Sequence, residues 1–206
     1  MVVNYFDLGL WKYPREIEMM LRDVIPNVDA QFNIYGFEAN PEYAIEVQER
    51  YKDIGNIKIY NLAISNHNGQ EKIFLDSYSG LGCSIFRSKR NATDYYYDVE
   101  SVLFSDWVSK NVTNIKESVN VLKVNIEGAE LYLFRDLASS GLINDIHIFA
   151  GHHSHDIMKV GELQLYVDEY FELIKDITIH KFCGDPGYDN VDMAALIREQ
   201  IEKQIV

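Results

Sequence analysis

Four groups of polar side chains stand where apolar runs of this chain end. Asn125, Glu127 and Glu130 follow Val121, Leu122, Val124 and Ile126; Asp7 and Gly9 close the run from Val2; Glu38 follows Phe32 to Phe37. His152, His153 and His155, with Asp156, come just after the run from Asp145 to Phe149. A carboxylate or an imidazole in such a position suits the acceptance of a hydroxyl proton near neutral pH. An acid at the end of a second strand suits hydrogen bonds from both hydroxyls of a ribose, and a glycine ending the first strand lets a ligand approach the backbone. The bland alternatives are a carboxylate at a solvated strand end, an acid serving the positive end of a helix, as for Glu130, and histidines that are polar loop residues.

The elements that must position these groups follow from hydrophobic period. Around Gly128 the spacing changes from a short apolar run to Leu131, Phe134, Leu137 and Ala138, which predicts a strand, a turn and a helix ending near Gly141. Strands are expected over Val2 to Leu8, Phe32 to Phe37 and Ile57 to Tyr60. Between them lie a helix carrying Ile17, Met20, Leu21 and Val24, and a second that starts at Asn40-Pro41. Further on, a short strand over Lys72 to Leu75 leads to an expected loop or flap from Asp76 to Tyr97. A strand over Glu100 to Phe104 and a short helix over Asp106 to Lys110 come next. The order closes with a strand over Asp145 to Phe149, a helix from Ile157 to Tyr170, a strand from Phe171 to Ile179, a Gly/Pro loop at Gly184 to Gly187, and a last strand from Val191 to Ile197. Strands alternating with helices predict an α/β fold with a mostly parallel sheet whose ligands bind at the carboxyl ends of its strands.

Composition narrows the function. The 206 residues are 47% hydrophobic, enough for one sizeable core and a single domain over 1–206. A formal net charge of −13 argues against a surface built for nucleic acid or an anionic membrane. No apolar run approaches the roughly 18 residues of a membrane span and no signal peptide is legible, so the chain reads as soluble and intracellular (cytoplasmic). Cys83 and Cys183 are far apart and form no zinc or disulfide pattern. The loop after the first strand has a single glycine, where a pyrophosphate-binding fingerprint wants three, which disfavours a dinucleotide and a nicotinamide dehydrogenase. Glu127, the three histidines and Asp156 have the donor types of a divalent cation site, but their spacing matches no ligand pattern. A metal is the lesser expectation, and no residue is assigned to one. Tyr95-Tyr96-Tyr97, with Tyr78 and Phe86, offer rings to a sugar or simply pack their loop, while Arg87, Lys89 and Arg90 read as solvated surface.

Several ordered motifs carry a resemblance. Phe6-Asp7-Leu8-Gly9, Gly36-Phe37-Glu38-Ala39-Asn40-Pro41, Asn61-Leu62-Ala63-Ile64-Ser65 with Gly69, Phe104-Ser105-Asp106-Trp107 and Lys123-Val124-Asn125-Ile126-Glu127-Gly128-Ala129-Glu130 resemble, over residues 3 to 150, the FkbM-type methyltransferases. That resemblance implies a class I, Rossmann-like three-layer sandwich with a mostly parallel seven-stranded sheet whose last strand is antiparallel. It also implies S-adenosylmethionine as cofactor and methyl transfer to a hydroxyl of a sugar or glycan acceptor. It assigns Asp7 and Gly9 to the cofactor loop, Glu38 to the ribose, and Asn61 and Ala63 to the segment beside the adenine. Asn40 and Asn125 count as further cofactor contacts. Glu127, His152 and His153 are the base candidates, with Asn125 beside them. Two positions depart from the family pattern: Tyr13 replaces a second loop glycine, narrowing the loop or changing its path, and Asn125 replaces an aspartate, removing a charge. The family usually has residues before its first strand, so a chain that begins almost on it suggests a minimal enzyme or a domain excised from a larger glycan-building protein. The rivals are a methyltransferase of a non-sugar hydroxyl or amine, and a catalytically weak cofactor- or glycan-binding module of the same fold. The sequence leaves the oligomeric state open.

Overall fold

A computed structural model describes residues 1–77, 82–151, 156–180 and 191–205. Its central sheet has six strands in the order β3-β2-β1-β7-β8-β9, all parallel: β1 (Val2–Leu8), β2 (Gln31–Phe37), β3 (Ile57–Tyr60), β7 (Val119–Val124), β8 (Ile148–Gly151) and β9 (Ile179–His180). A smaller sheet sits beside it, in which β5 (Gly69–Asp76) pairs antiparallel with β6 (Ala92–Val102), and β4 (Ala63–Ile64) pairs parallel with β6.

Both faces of the central sheet are covered, as the near-continuous apolar sequences of its middle strands require. Residues alternate between two cores. Val3 and Tyr5 of β1 and Val119 and Val121 of β7 pack with Ile17 of α1 (Arg15–Met19), Val47 of α2 (Pro41–Tyr51) and Met193 of α6 (Met193–Ile205). Phe6, Leu8, Leu122 and Val124 face the other way. They meet Trp107 of α3 (Phe104–Asn111), Phe134 of α4 (Glu130–Ser140) and Tyr170 of α5 (Val167–Ile174). This is the three-layer α/β arrangement of the Rossmann-like class.

Local signals account for most boundaries. The side chain of Asn40 accepts from the amide of Glu42, and Pro41 supplies the first helical φ, so α2 starts where its cap demands. α4 ends at Gly141, whose φ of +79° is the left-handed conformation a helix terminus favours. α1 passes at Met20 into a π turn that carries the buried Met20 and Val24.

Three expectations are corrected in whole or in part. Val191 to Ile197 is not a strand: Met193, Ala194 and Ile197 recur at helical spacing, and the carboxylate of Asp192 accepts from Ala195 N at 2.9 Å as a cap. The expected seventh, antiparallel strand is therefore helix α6, and the central sheet has six strands among the described residues. The loop or flap expected over Asp76 to Tyr97 gives way to strand at its end, from Ala92, where Tyr96 and Tyr97 favour a pleated surface and pair with Phe74 and Ile73 of β5. Phe171 to Ile174 is helical, its buried Tyr170 and Ile174 lying one turn apart, and only Ile179–His180 joins the sheet. Tyr78, Cys183 and the Gly184 to Gly187 loop lie outside the described residues.

A polar ladder locks the register of the three middle strands. Asn4 faces both Asn33 and Asn120 across the sheet. Asn33 donates to Asn4 at 3.0 Å and Asn4 donates to Asn120 at 2.9 Å, while the amide of Asn120 donates to the carbonyls of Ile115 and Asp145 at 2.6 and 2.8 Å. Asn120→Ala should lower stability in urea by about 3 kcal/mol, since it leaves buried donors and acceptors unmet. A loss below about 0.5 kcal/mol would mean that the ladder does not hold the register.

Candidate functional site

A cavity of about 390 Å³ opens at the carboxyl edge of the central sheet, within the range of small-molecule sites. Its wall combines the ends of β1 (Gly9), β2 (Glu38) and β7 (Asn125, Glu127) with Leu62, Ala63 and Ile64 at β4 and with Cys83 and Ile85 beyond β5. Trp11, Tyr13 and Tyr43 add aromatic rings, and Arg15 and Glu16 add charge.

Gly9 is there for a steric reason. Its φ is +87°, and a Cβ would sit 1.9 Å from the carbonyl oxygen of Asn125, so no other residue fits without moving β7. The glycine of the next turn serves packing instead: a Cβ on Gly128 would meet Val160 at 2.6 Å, and Gly128 does not line the cavity. Beyond Gly9 the backbone takes a left-handed step at Trp11, φ +55°, an uncommon conformation for a bulky residue. Tyr13 is thereby carried out to the rim, half exposed, with its ring centroid 4.8 Å from that of Trp11. Tyr13 thus lines the cavity from its rim.

Trp11's turn delivers its amide to Glu38. Glu38 Oε2 accepts from Trp11 N and Oε1 from Asn40 N, both at 2.7 Å. Burial pushes the Glu38 carboxyl above its ordinary range, opposed by those amides and by Lys123. Asn61 supports the same turn, its amide donating to the carbonyls of Glu38 and Ala39 at 2.9 and 3.0 Å.

Asp7 lies behind the cavity wall. It is fully buried, and its Oδ1 is 2.8 Å from Nζ of Lys123, the residue that faces it on β7. Lys123 also donates to the carbonyl of Gly9 at 2.7 Å and reaches the cavity. Burial pushes Asp7 up to about 6 against the pull of Lys123. For Lys123, burial would favour the neutral amine, but Asp7, Glu16 and Glu38 together raise its pKa, so the pair is charged at neutral pH.

At the end of β7 the turn is bound by its own acids. Glu130 is completely buried and accepts from Ile126 N at 2.9 Å and Gly128 N at 2.6 Å. Burial, with Asp156 adding to it, pushes its carboxyl up to about 8. Glu127 has a left-handed backbone, φ +56°; its carbonyl accepts from Ser84 Oγ at 2.7 Å and its Oε2 is 2.5 Å from Nζ of Lys89. Burial and the charge of Asp156 push the Glu127 carboxyl up, while Lys89 and Lys159 pull it down.

Of the residues singled out by sequence, Gly9, Glu38, Ala63, Asn125 and Glu127 meet at this cavity. Asp7, Asn40 and Asn61 stand behind its wall and hold it in shape. His152, His153 and His155 lie outside the described residues, among which no group of three or more His, Cys, Asp or Glu side chains is arranged to hold a metal. Tyr95, Tyr96, Tyr97 and Phe86 do not line the cavity: Tyr97 donates to Glu42, and Phe86 packs on Tyr132. Lys89, read from sequence as solvated surface, is buried because Glu127 and the carbonyl of Gly82 satisfy it. Lys123 went unremarked as a functional group, although a lysine between Leu122 and Val124 in an apolar strand signals a buried partner of opposite charge.

Six parallel strands, helices on both faces and a cavity at the carboxyl edge, with a tight glycine after β1 and an acid after β2, define a Rossmann-like α/β fold. The family profile of the Methyltransferase FkbM domain matches residues 18–177, and the chain belongs to that family of methyltransferases. No curated protein and no solved structure matches it. Among the described residues, no helix is long and apolar enough to cross a membrane.

The raised acid beneath the cavity makes a pH prediction. Glu130 binds its proton more tightly folded than unfolded, so its contribution to stability is full below the ordinary glutamate range and is lost as pH rises through about 8. Urea unfolding should show lower stability at pH 8.5 than at pH 5, and Glu130→Gln should shrink that difference. An undiminished difference in the variant would place the effect elsewhere.

Proposed function

We propose that this protein is an S-adenosylmethionine-dependent O-methyltransferase acting on a hydroxyl of a sugar or glycan, with the whole chain working as one domain. The observation that carries the cofactor reading is Glu38. Each of its oxygens accepts one backbone amide, which fixes the carboxylate in the cavity wall and leaves lone pairs for the two hydroxyls of a ribose. Gly9 gives the backbone clearance beside it, and the apolar Leu62, Ala63 and Ile64 suit an adenine. When bound, S-adenosylmethionine supplies an electrophilic methyl group on a sulfonium.

The chain's own residues then orient the acceptor and handle its proton. Glu127 lines the cavity at the end of β7 and is the residue we assign to accept that proton. Asn125 beside it contributes an amide where the family pattern has an acid, suited to orienting a hydroxyl. The rings of Trp11, Tyr13 and Tyr43 offer broad apolar faces with polar edges, the chemistry that stacks on sugar rings. A net charge of −13 supports a neutral acceptor over nucleic acid. A cofactor of this kind supports work in the cytoplasm.

Calorimetric titration with S-adenosylmethionine and with its demethylated product, each with and without a divalent cation, tests the cofactor reading. Saturable binding of both is expected. Glu38→Gln should weaken it about 10- to 100-fold, by removing an anionic acceptor; unchanged affinity would remove Glu38 from the ribose. A screen of sugar acceptors with methyl-labelled cofactor tests the transfer. With an acceptor in hand, Glu127→Gln should lower kcat by about 100-fold or more while leaving cofactor affinity within a few-fold. Equal loss of both would move Glu127 into the cofactor site, and binding without transfer to any acceptor would make the protein a binding module.

A further inference from the structure

Lys89 belongs to the segment that joins β5 to β6, far in sequence from the end of β7, yet that segment holds Glu127 at both ends. Ser84 Oγ donates to the Glu127 carbonyl at 2.7 Å, and Lys89 Nζ stands 2.5 Å from Glu127 Oε2. The segment is itself anchored on either side: Ser84 exchanges backbone hydrogen bonds with Phe74 at 2.7 and 3.0 Å, and Arg90 N donates to Lys159 O at 2.8 Å. The Lys89 side chain is only 5% exposed, and its other contact is the carbonyl of Gly82 at 2.7 Å. A buried ammonium is unfavourable unless an anion and good acceptors meet it, and here Lys89 is met by the Glu127 carboxylate and the Gly82 carbonyl. Glu127 also sits in a left-handed backbone conformation that is unfavourable for a non-glycine residue and persists only where its surroundings over-determine it.

We propose that Lys89 is a positioning residue for methyl transfer: its ammonium fixes the Glu127 carboxylate, charged and aimed, in the cavity wall, and by the same contact fastens residues 82–91 beside the acceptor end. The proposal rests on Glu127 as the residue that takes the acceptor proton. Among the described residues, the charged groups facing Glu127 are Lys89 from this segment, Asp156 and Lys159 from the turn after β8, and Glu130 at the start of α4. Asp156 is already engaged by Lys159 at 2.5 Å, so Lys89 is the cation in direct contact with Glu127.

The test is carbon-13 NMR of the full chain labelled at the glutamate side-chain carboxyl, with the Glu127 signal assigned from Glu127→Gln. It is run on the wild type, Lys89→Met and Lys89→Arg, each saturated with S-adenosylhomocysteine. The Glu127 titration should move to higher pH in Lys89→Met and return toward the wild-type position in Lys89→Arg. A titration unmoved in a folded Lys89→Met protein would overturn the proposal. Should Lys89→Met fail to fold, amide hydrogen exchange in Glu127→Gln decides: residues 82–91 should exchange at least tenfold faster than in the wild type, and unchanged protection would overturn it. Wild-type kcat in Glu127→Gln would remove the proton-acceptor role while moving neither readout, so the two failures are distinguishable.

Discussion

The contact between Asp7 and Lys123 sets the geometry on which the cavity depends. The two residues are register partners on adjacent parallel strands at the centre of the sheet, and neither side chain reaches bulk water. Burying one of these charges alone would cost several kcal/mol, so any slip of β1 against β7 that separated them would be heavily penalised. Lys123 extends the constraint by donating to the carbonyl of Gly9, which ties the loop after β1 to β7. The same register brings Gly9 against the Asn125 carbonyl with no room for a side chain. From there the order passes outward, because the loop that leaves Gly9 delivers the Trp11 amide to Glu38. A charge pair inside the sheet thus sets where the carboxylate at the end of β2 stands.

A second set of constraints works at the end of β7, where three acids lie close together. Glu130 spends both oxygens on the amides of its own turn, while Glu127 is held from outside by Lys89 and Ser84. The two glutamates of one short motif therefore differ in kind. Glu130 binds the backbone of its own turn, and Glu127 lines the cavity with its carboxylate paired to Lys89. Asp156 disfavours the charge on both, and the lysines Lys89 and Lys159 keep the group from being a run of unrelieved repulsion.

The regular part of this design is legible in the chain. β1 to β3, the Asn40-Pro41 start of α2 and the Gly141 end of α4 are local signals, each satisfied by the residues that carry it. The last element misled because Val191, Met193, Ala195 and Ile197 alternate as a strand would, while Met193, Ala194 and Ile197 also fit a helix, and the packing surface chose the helix. The positions of the site acids were legible too, since strand ends in an open parallel sheet converge. Their roles were not. Whether Asp7 faces the cavity or the interior depends on the lysine opposite it more than a hundred residues later, and whether Lys89 is surface or core depends on Glu127. Long-range partners of this kind leave no period in the sequence, although a lysine set inside an apolar strand is a trace of one.

Tyr13 and Asn125 each have a physical reading in the structure. A glycine in the loop after β1 would give backbone freedom, and here the left-handed step is taken instead by Trp11, whose ring stacks edge-on with that of Tyr13. The rim is lined with rings, near which the ammonium of Lys12 lies 5.2 to 6.0 Å from the centroids of Trp11, Tyr13 and Tyr43. At the end of β7, Asn125 adds no charge to a wall that already holds Glu127 and lies close to Glu130 and Asp156. An aspartate there would add to the desolvation by burial and the repulsion from Asp156 that already disfavour the charge on Glu127, and a neutral amide avoids it while keeping a donor and an acceptor. With a neutral amide at position 125, the acid of this strand end that lines the cavity is Glu127, the one a buried lysine holds in place.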